Sequence, residues 1–175
     1  MLRTWTLLLV TAVAAPGLAT ASEIAPAASA SRSAWTGTWT IDRAASDSLD
    51  AVLRAQGVSK TKRVVADKVE LSQKLVDHGD RLDVEMLGPR ARSGTLTFDG
   101  KERSKTTDQG EMHYRAKREP SGAVVVISRP AAGGGLIIVV TRTLDADGQT
   151  LRQMVTVKGG ADGPVSATLV FRRAP

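Results

Sequence analysis

Several residue types are absent or scarce in this chain of 175 residues, and each shortage excludes a class of function. There is no cysteine, which excludes disulfide frameworks, thiolate metal sites and thiol nucleophiles. The two histidines, His78 and His113, do not stand at a metal-ligand spacing, and they leave little room for Ser-His-Asp catalysis. We therefore predict a protein without enzymatic activity, metal ion or cofactor.

The N-terminal residues have the three-part pattern of a secretory signal peptide. A basic start precedes an apolar run that extends to about Leu18, and the small residues at positions 19–21 form a cleavage site. The apolar run is short for a transmembrane helix, and no basic stop-transfer segment follows it. We predict a periplasmic or secreted protein with a signal peptide over residues 1–21, an Ala/Ser-rich linker over 22–34 and one folded domain over 35–175.

From residue 35 onward, apolar residues mostly alternate with polar ones, as in half-buried β-strands. About ten such segments are separated by turn sequences, of which Asp99-Gly100 is an example. Meanders of this length close into barrels, because closure removes exposed strand edges. The pattern predicts an all-β fold, a ten-stranded up-and-down antiparallel barrel with a short helix-turn-helix lid after the first strand.

The lid is predicted from the one segment with helical spacing. Leu49, Val52 and Leu53 follow Ser46 as N-cap, and Gly57 ends this first helix. A second short helix follows. Its predicted N-cap is Ser59, and its predicted apolar contacts are Val64 and Val65.

Two stretches near the start of the domain carry a family resemblance. Residues 36–39 (TGTW) and 46–58 (SDSLDAVLRAQGV) resemble the first strand and first helix of the fatty-acid-binding proteins, a branch of the calycin or lipocalin-like superfamily. Residues 63–66 are similar to the end of that family's second helix. The resemblance covers residues 35–173 in order and is specific over 36–66, and the signal peptide would make this an exported, bacterial-type member.

The resemblance implies a barrel that holds a fatty acid or a similar amphiphile beneath a helical lid. In that family an Arg on the eighth strand and an Arg-x-Tyr pair on the last strand commonly hold the ligand carboxylate. Arg142 matches the first of these by position. The last strand departs from the pattern, because the Arg-x-Tyr positions read Leu169-Val170-Phe171.

Strand alternation independently predicts an apolar interior with few polar side chains. An inward Arg142 would require a carboxylate from the chain or from a ligand; alternatively, it lies near a strand end and reaches water. Gln153 is either a satisfied core amide or a ligand contact, Gln73 is a further polar exception, and an inward Tyr114 needs a partner for its hydroxyl. The predicted site combines Arg142, Tyr114 and Gln153 with an apolar wall of Met112, Ile138, Val140, Val155, Leu169 and Phe171.

Basic residues exceed acidic ones, 24 to 18. A set on mid-chain strands that includes Lys105 and Arg118 is by default a solvated face. Nucleic-acid binding is disfavoured, because aromatic residues make up only 3% of the chain and few rings are available to stack on bases. For the basic cluster on the predicted helices we expect transient contact with an anionic membrane. That cluster consists of Arg54, Lys60, Lys62 and Arg63.

The sequence thus predicts a monomeric carrier of a small hydrophobic or amphipathic ligand. The alternative is a barrel with a filled core that acts as a cell-envelope interaction or inhibitor protein. An enzyme on this barrel would need a general acid or base inside, and the alternation shows no inward Asp, Glu or His.

Overall fold

A computed structural model describes residues 34–88, 91–107, 110–160 and 163–175. The predicted signal peptide and all of the predicted linker except Ala34 lie outside these residues. Neither described helix is long and apolar enough to cross a membrane. The elements are β1 (Gly37–Ile41), α1 (Asp50–Ala55), α2 (Lys60–Ala66), β2 (Ser72–Asp77), β3 (Arg81–Leu87), β4 (Arg92–Thr97), β5 (Arg103–Thr107), β6 (Gly110–Arg118), β7 (Val124–Pro130), β8 (Ile137–Leu144), β9 (Thr150–Lys158) and β10 (Val165–Arg173).

The ten strands form one antiparallel sheet in the order β4-β3-β2-β1-β10-β9-β8-β7-β6-β5. β1 pairs with β10, so the first and last strands join the two halves of the meander. The sheet curls on itself. This is shown by Arg118 at the end of β6, which contacts Asp77 at the end of β2 although the two strands are far apart in the sheet order. The predicted all-β fold with a helix pair after the first strand is confirmed.

The inner face of the curled sheet holds the core. Along β3, Leu82, Val84 and Met86 are buried and alternate with more exposed acidic residues. Because side chains of a strand point to opposite faces in turn, the same alternation in the paired strands lines one continuous interior. From α1, Val52 and Leu53 pack into this core.

The Gly-Thr-Trp sequence of β1 is explained by its contacts with the end of β10. A Cβ on Gly37 would lie 2.4 Å from Nη1 of Arg173, so only glycine leaves room for that guanidinium. Arg173 donates from Nη1 to the Thr36 carbonyl at 2.7 Å and lies 4.4 Å from the centroid of the buried Trp39 ring. These contacts hold the first strand against the last.

The predicted N-cap of α1 is wrong. The helix begins at Asp50, and Ser46 instead accepts a hydrogen bond on Oγ from the Val170 amide at 2.9 Å. Asp47 accepts one on Oδ2 from the Thr168 amide at 2.8 Å. Short polar side chains pair with free backbone N–H groups at strand edges as well as at helix starts, and here β10 extends beyond the end of β1 and leaves such groups to be paired.

The second helix begins after Ser59 as predicted, but it buries none of its residues. Val64 and Val65 were predicted to make apolar contacts, and this is wrong because they are 48% and 58% exposed. The helix is held instead by Arg63, which donates from Nε to Asp50 and from Nη1 to the Val58 carbonyl, both at 2.7 Å. Polar contacts therefore attach α2 to α1.

Candidate functional site

The polar centre of the interior is Arg142 on β8. Its side chain continues the inward series of Ile138 and Val140, and it is 0% exposed, so the alternative that it reaches water at a strand end is wrong. Its Nε donates to Oε1 of Gln153 at 2.9 Å. Neither Nη1 nor Nη2 has a hydrogen-bond partner among the described residues. The fork of the guanidinium is therefore buried and unused.

Burial is unfavourable for the charged form of this group. It lowers the pKa of the Arg142 guanidinium to about 10, so the group still carries a positive charge at neutral pH. A buried cation without an anionic partner costs several kcal/mol, roughly the penalty of removing one ion from water after relaxation. An anion placed at Nη1 and Nη2 would offset this cost.

Two glutamines share the inner face, and they differ in their contacts. Gln153 stands opposite Arg142 in the β8–β9 register, and its amide oxygen orients the guanidinium. Gln73 on β2 is 0% exposed, and neither its Oε1 nor its Nε2 has a hydrogen-bond partner among the described residues. The first is a positioning contact for the arginine, whereas the second is an unsatisfied amide.

The predicted apolar wall lies where the alternation placed it. Met112, Ile138, Val140, Val155, Leu169 and Phe171 are all buried and belong to one core cluster. Tyr114 is also buried, and burial raises the pKa of its hydroxyl. In the register it aligns through Ser128 with Ile138, which lies four residues, or about 13 Å, along β8 from Arg142, so Tyr114 does not join the contact between Arg142 and Gln153. The structure thus places all nine predicted residues inside, with Arg142 and Gln153 in direct contact.

Lys105 on β5 was assigned to a solvated face, and this assignment is wrong. It pairs in register with the inward Met112, it is only partly exposed, and its Nζ lies 5.9 Å from the centroid of the Tyr114 ring. Burial, and next the positive charges of Arg92 and Arg142, lower the pKa of its amine to about 8. Pairing of β5 with β6 would have indicated the inward position of Lys105 from the sequence.

Arg118 was likewise expected to be solvated, and no inward acid was expected. Both expectations are wrong, because Nη2 of Arg118 donates to Oδ1 of Asp77 at 2.8 Å, and the carboxylate side chain is only 2% exposed. The guanidinium carbon lies 4.6 Å from the ring centroid of Phe98 and 5.9 Å from that of Trp35. Parity along β2 and β6 places both charges inside, so it would have indicated this pair.

The described part of the chain contains no group of three or more His, Asp or Glu side chains that could hold a metal ion. Its inward acid, Asp77, is bound to Arg118 and to the Gly79 amide, and is thus held by existing contacts. The described interior thus combines an apolar wall, a buried guanidinium with two unpartnered nitrogens and two amides.

No protein-family model and no curated protein matches the sequence. Solved structures do match. A Schistosoma mansoni fatty acid binding protein in complex with arachidonic acid is 23% identical over 83% of this chain and 99% of its own, with a TM-score of 0.66. Apo lipid binding protein 8 of Caenorhabditis elegans is 16% identical over 84% and 100%, with a TM-score of 0.66. The zebrafish ileal bile acid-binding protein with cholic acid is 15% identical over 81% and 100%, with a TM-score of 0.62.

The chain has the fold of the fatty-acid-binding proteins. The expectation drawn from residues 36–66 is confirmed at the level of fold, since these neighbours cover four fifths or more of the chain. Identities this low establish a shared fold rather than a shared ligand. Within the fatty-acid-binding-protein fold, the role of each inner residue therefore has to be argued from its own contacts.

Proposed function

We propose that this protein binds and carries an anionic amphiphile, a fatty acid or a similar lipid, inside its barrel without catalysing a reaction. The observation that carries the proposal is the guanidinium of Arg142, which is fully buried while its Nη1 and Nη2 have no partner in the part of the chain that the structure describes. Replacing a buried ionic group by an apolar residue of similar volume is often neutral or stabilising, so the fold itself does not call for this charge. A ligand carboxylate supplies the missing partner.

The arrangement suits a carboxylate in particular. The contact with Gln153 occupies Nε and fixes the plane of the guanidinium, which leaves the two Nη groups as a fork. Arginine and carboxylate form paired, charge-assisted hydrogen bonds in this geometry. The apolar wall then receives the hydrocarbon chain, and burial of that chain contributes about 25 cal/mol per Å² of apolar surface.

The sequence of the last strand increases the share of head-group binding that we assign to Arg142. Leu169 and Phe171 stand where the resemblance would place an Arg-x-Tyr pair, and both are buried and apolar. The head group therefore depends on Arg142 without help from β10. We expect a correspondingly large loss when this arginine is replaced.

The test compares two amphiphiles of equal chain length, palmitate and hexadecanol, by isothermal titration calorimetry. We expect the wild-type protein to prefer palmitate. Arg142→Met should weaken palmitate binding about a hundredfold, equivalent to about 2.7 kcal/mol, and change hexadecanol binding little. The matched control is Arg129→Met, which removes an exposed arginine from the neighbouring strand β7. Equal losses for both amphiphiles, or no loss in Arg142→Met, would contradict the proposal.

The alternative of a filled core predicts no ligand at all. Native mass spectrometry of protein purified from its host separates the two, because a carrier should retain a lipid that organic extraction releases. The same spectrum tests the expectation of a monomer. A single mass equal to the bare chain, together with failure of palmitate to bind, would favour the filled-core protein.

The helix pair gives a surface for contact with an anionic membrane. Lys60 is exposed beside Val64 and Val65, and α2 contains no acidic residue. Arg63 is not part of this surface, because it is bound to Asp50. Basic residues contribute about 1 kcal/mol each near an anionic bilayer, and exposed valines add apolar contact. Membrane contact is supported if the protein binds phosphatidylglycerol vesicles, if this binding weakens with salt, and if it weakens further in Lys60→Gln. Equal binding to neutral vesicles would contradict membrane contact through charge.

The location follows from the predicted signal peptide over residues 1–21. We propose that the carrier acts in the periplasm or outside the cell. N-terminal sequencing of protein from the host envelope fraction should begin near Ser22, and an intact start in the cytosolic fraction would contradict export.

A further inference from the structure

Gln73 is a buried amide that neither the fold nor the proposed carboxylate contact uses. It lies on β2, opposite Trp39 and opposite Met86, with Leu75 as the next inward residue of its own strand. All three neighbours are buried and apolar. The amide is 0% exposed, and both of its polar atoms lack a partner among the described residues.

The position of Gln73 separates it from the head-group contact. β2 and β8 are four steps apart in the sheet order, with β1, β10 and β9 between them. At about 4.8 Å per step, this is roughly 19 Å along the curved wall. The two unsatisfied groups, Gln73 and Arg142, therefore stand on different walls of one interior and do not satisfy each other.

The chemistry of an amide selects its partner. Oε1 accepts hydrogen bonds and Nε2 donates them, so both atoms need partners of opposite kind. A hydroxyl is the smallest neutral group that both donates and accepts. A second carboxylate would only accept, so it would leave Oε1 of Gln73 without a donor, and it would add a buried negative charge beside the apolar Leu75 and Met86. A plain hydrocarbon chain would leave the amide unpaired.

We infer that the ligand of this barrel is a hydroxylated long-chain acid, whose carboxylate contacts Arg142 and whose chain hydroxyl pairs with the Gln73 amide. This rests on the proposed function and narrows it from anionic amphiphiles to hydroxy acids. Sites built to hydrogen-bond a hydroxyl discriminate strongly against analogues that lack it, because the buried polar group is then left without a partner. Selectivity, rather than affinity for lipid in general, is what Gln73 supplies.

The experiment titrates the protein with palmitic acid and with its monohydroxy isomers substituted at an early, a middle or the terminal carbon. We expect at least one isomer to bind about tenfold or more tightly than palmitate, a difference of about 1.4 kcal/mol. In Gln73→Met this isomer should lose its advantage while palmitate binding stays within about twofold. Gln149→Met is the matched control, because Gln149 is an exposed glutamine in the turn directly before β9.

Gln73→Leu serves as a second variant if the methionine variant does not fold. The inference is overturned if palmitate binds as tightly as every isomer, or if Gln73→Met keeps the preference, as it would if the amide merely held an ordered water. Binding of palmitate without preference leaves the proposed carrier function intact. Binding of none of the acids contradicts that function, and the inference with it.

Discussion

Two arginines enter the same barrel interior, and their surroundings differ. Arg118 at the end of β6 donates to Asp77 at 2.8 Å and lies against the ring of Phe98. Arg142 on β8 has an amide, Gln153, at its Nε, and no described residue is a partner for its Nη1 or Nη2. One charge is neutralised within the chain, whereas the other is not.

The difference separates a charge pair that supports the fold from a buried charge for which the described residues supply no counter-charge. The Arg118–Asp77 pair joins strands that are not neighbours in the sheet, so it holds the curled shape. The buried arginine at β8 joins no distant strands, and because its charge is buried without an anionic partner among the described residues, we expect it to lower the stability of the fold. Variants of the two regions should therefore change stability in opposite directions, and the comparison fails if they do not.

The largest effect is expected from Asp77→Asn. The substitution keeps the shape of the side chain but leaves Arg118 without its counter-charge. Breaking a buried pair costs about 3–5 kcal/mol, and the partial exposure of Arg118 places the expected loss near the lower end, about 3 kcal/mol. Urea unfolding measures it. The control is Asp145→Asn at the exposed pair with Arg152, where about 0.5 kcal/mol is expected. Similar losses in both variants would show that the Arg118–Asp77 pair contributes no more to stability than an exposed ion pair.

The second effect has the opposite sign. Arg142→Met replaces a buried, partly satisfied cation by an apolar side chain of similar length. Without ligand, the free energy of unfolding should rise by about 2 kcal/mol, even though Gln153 loses its donor. Arg129→Met, an exposed control, should stay within about 0.5 kcal/mol of wild type. A loss of stability in Arg142→Met would mean that the arginine is satisfied inside the fold.

The sequence predicted the fold well because strand alternation and turn residues are local signals. The predicted series of about ten alternating segments corresponds to the ten strands of the sheet. The start of α1 was missed because Ser46 has the chemistry of a helix N-cap and also that of a strand-edge partner. Local preference did not distinguish these two roles.

The candidate site was predicted in part. The inward positions of Arg142 and Gln153 follow from the alternation along β8 and β9. These strands are consecutive in the sequence and pair directly, so their contact could be expected. Asp77 and Arg118 were missed because their contact crosses the barrel between strands that do not pair. Lys105 was missed because a basic strand residue is most often solvated, and only its register with Met112 shows otherwise.

Gln73 and Gln153 allow a similar comparison between uncharged side chains, because the first has no partner among the described residues and the second has one. Gln73→Met removes an unsatisfied amide and should raise the free energy of unfolding by about 1 kcal/mol. Gln153→Met removes the hydrogen bond that Nε of Arg142 donates, and it should lower the free energy of unfolding by about the same amount. Urea unfolding of both variants measures the difference in sign. Equal changes would show that the contact at Nε has no influence on the arginine.

The smallest effect concerns Lys105, whose amine is buried near Arg142 with its pKa lowered to about 8 from 10.5. Between these two values the unfolded chain binds more protons than the folded protein, so stability rises with pH in that window, and below it the penalty is complete. Among the groups that act on Lys105 are the positive charges of Arg92 and Arg142 and the ring of Tyr114. Lys105→Met should therefore exceed wild type in stability at about pH 7 and converge with it towards about pH 9.5, as followed by urea unfolding. A gap that does not change with pH would show that this lysine is solvated and does not share the interior with Arg142.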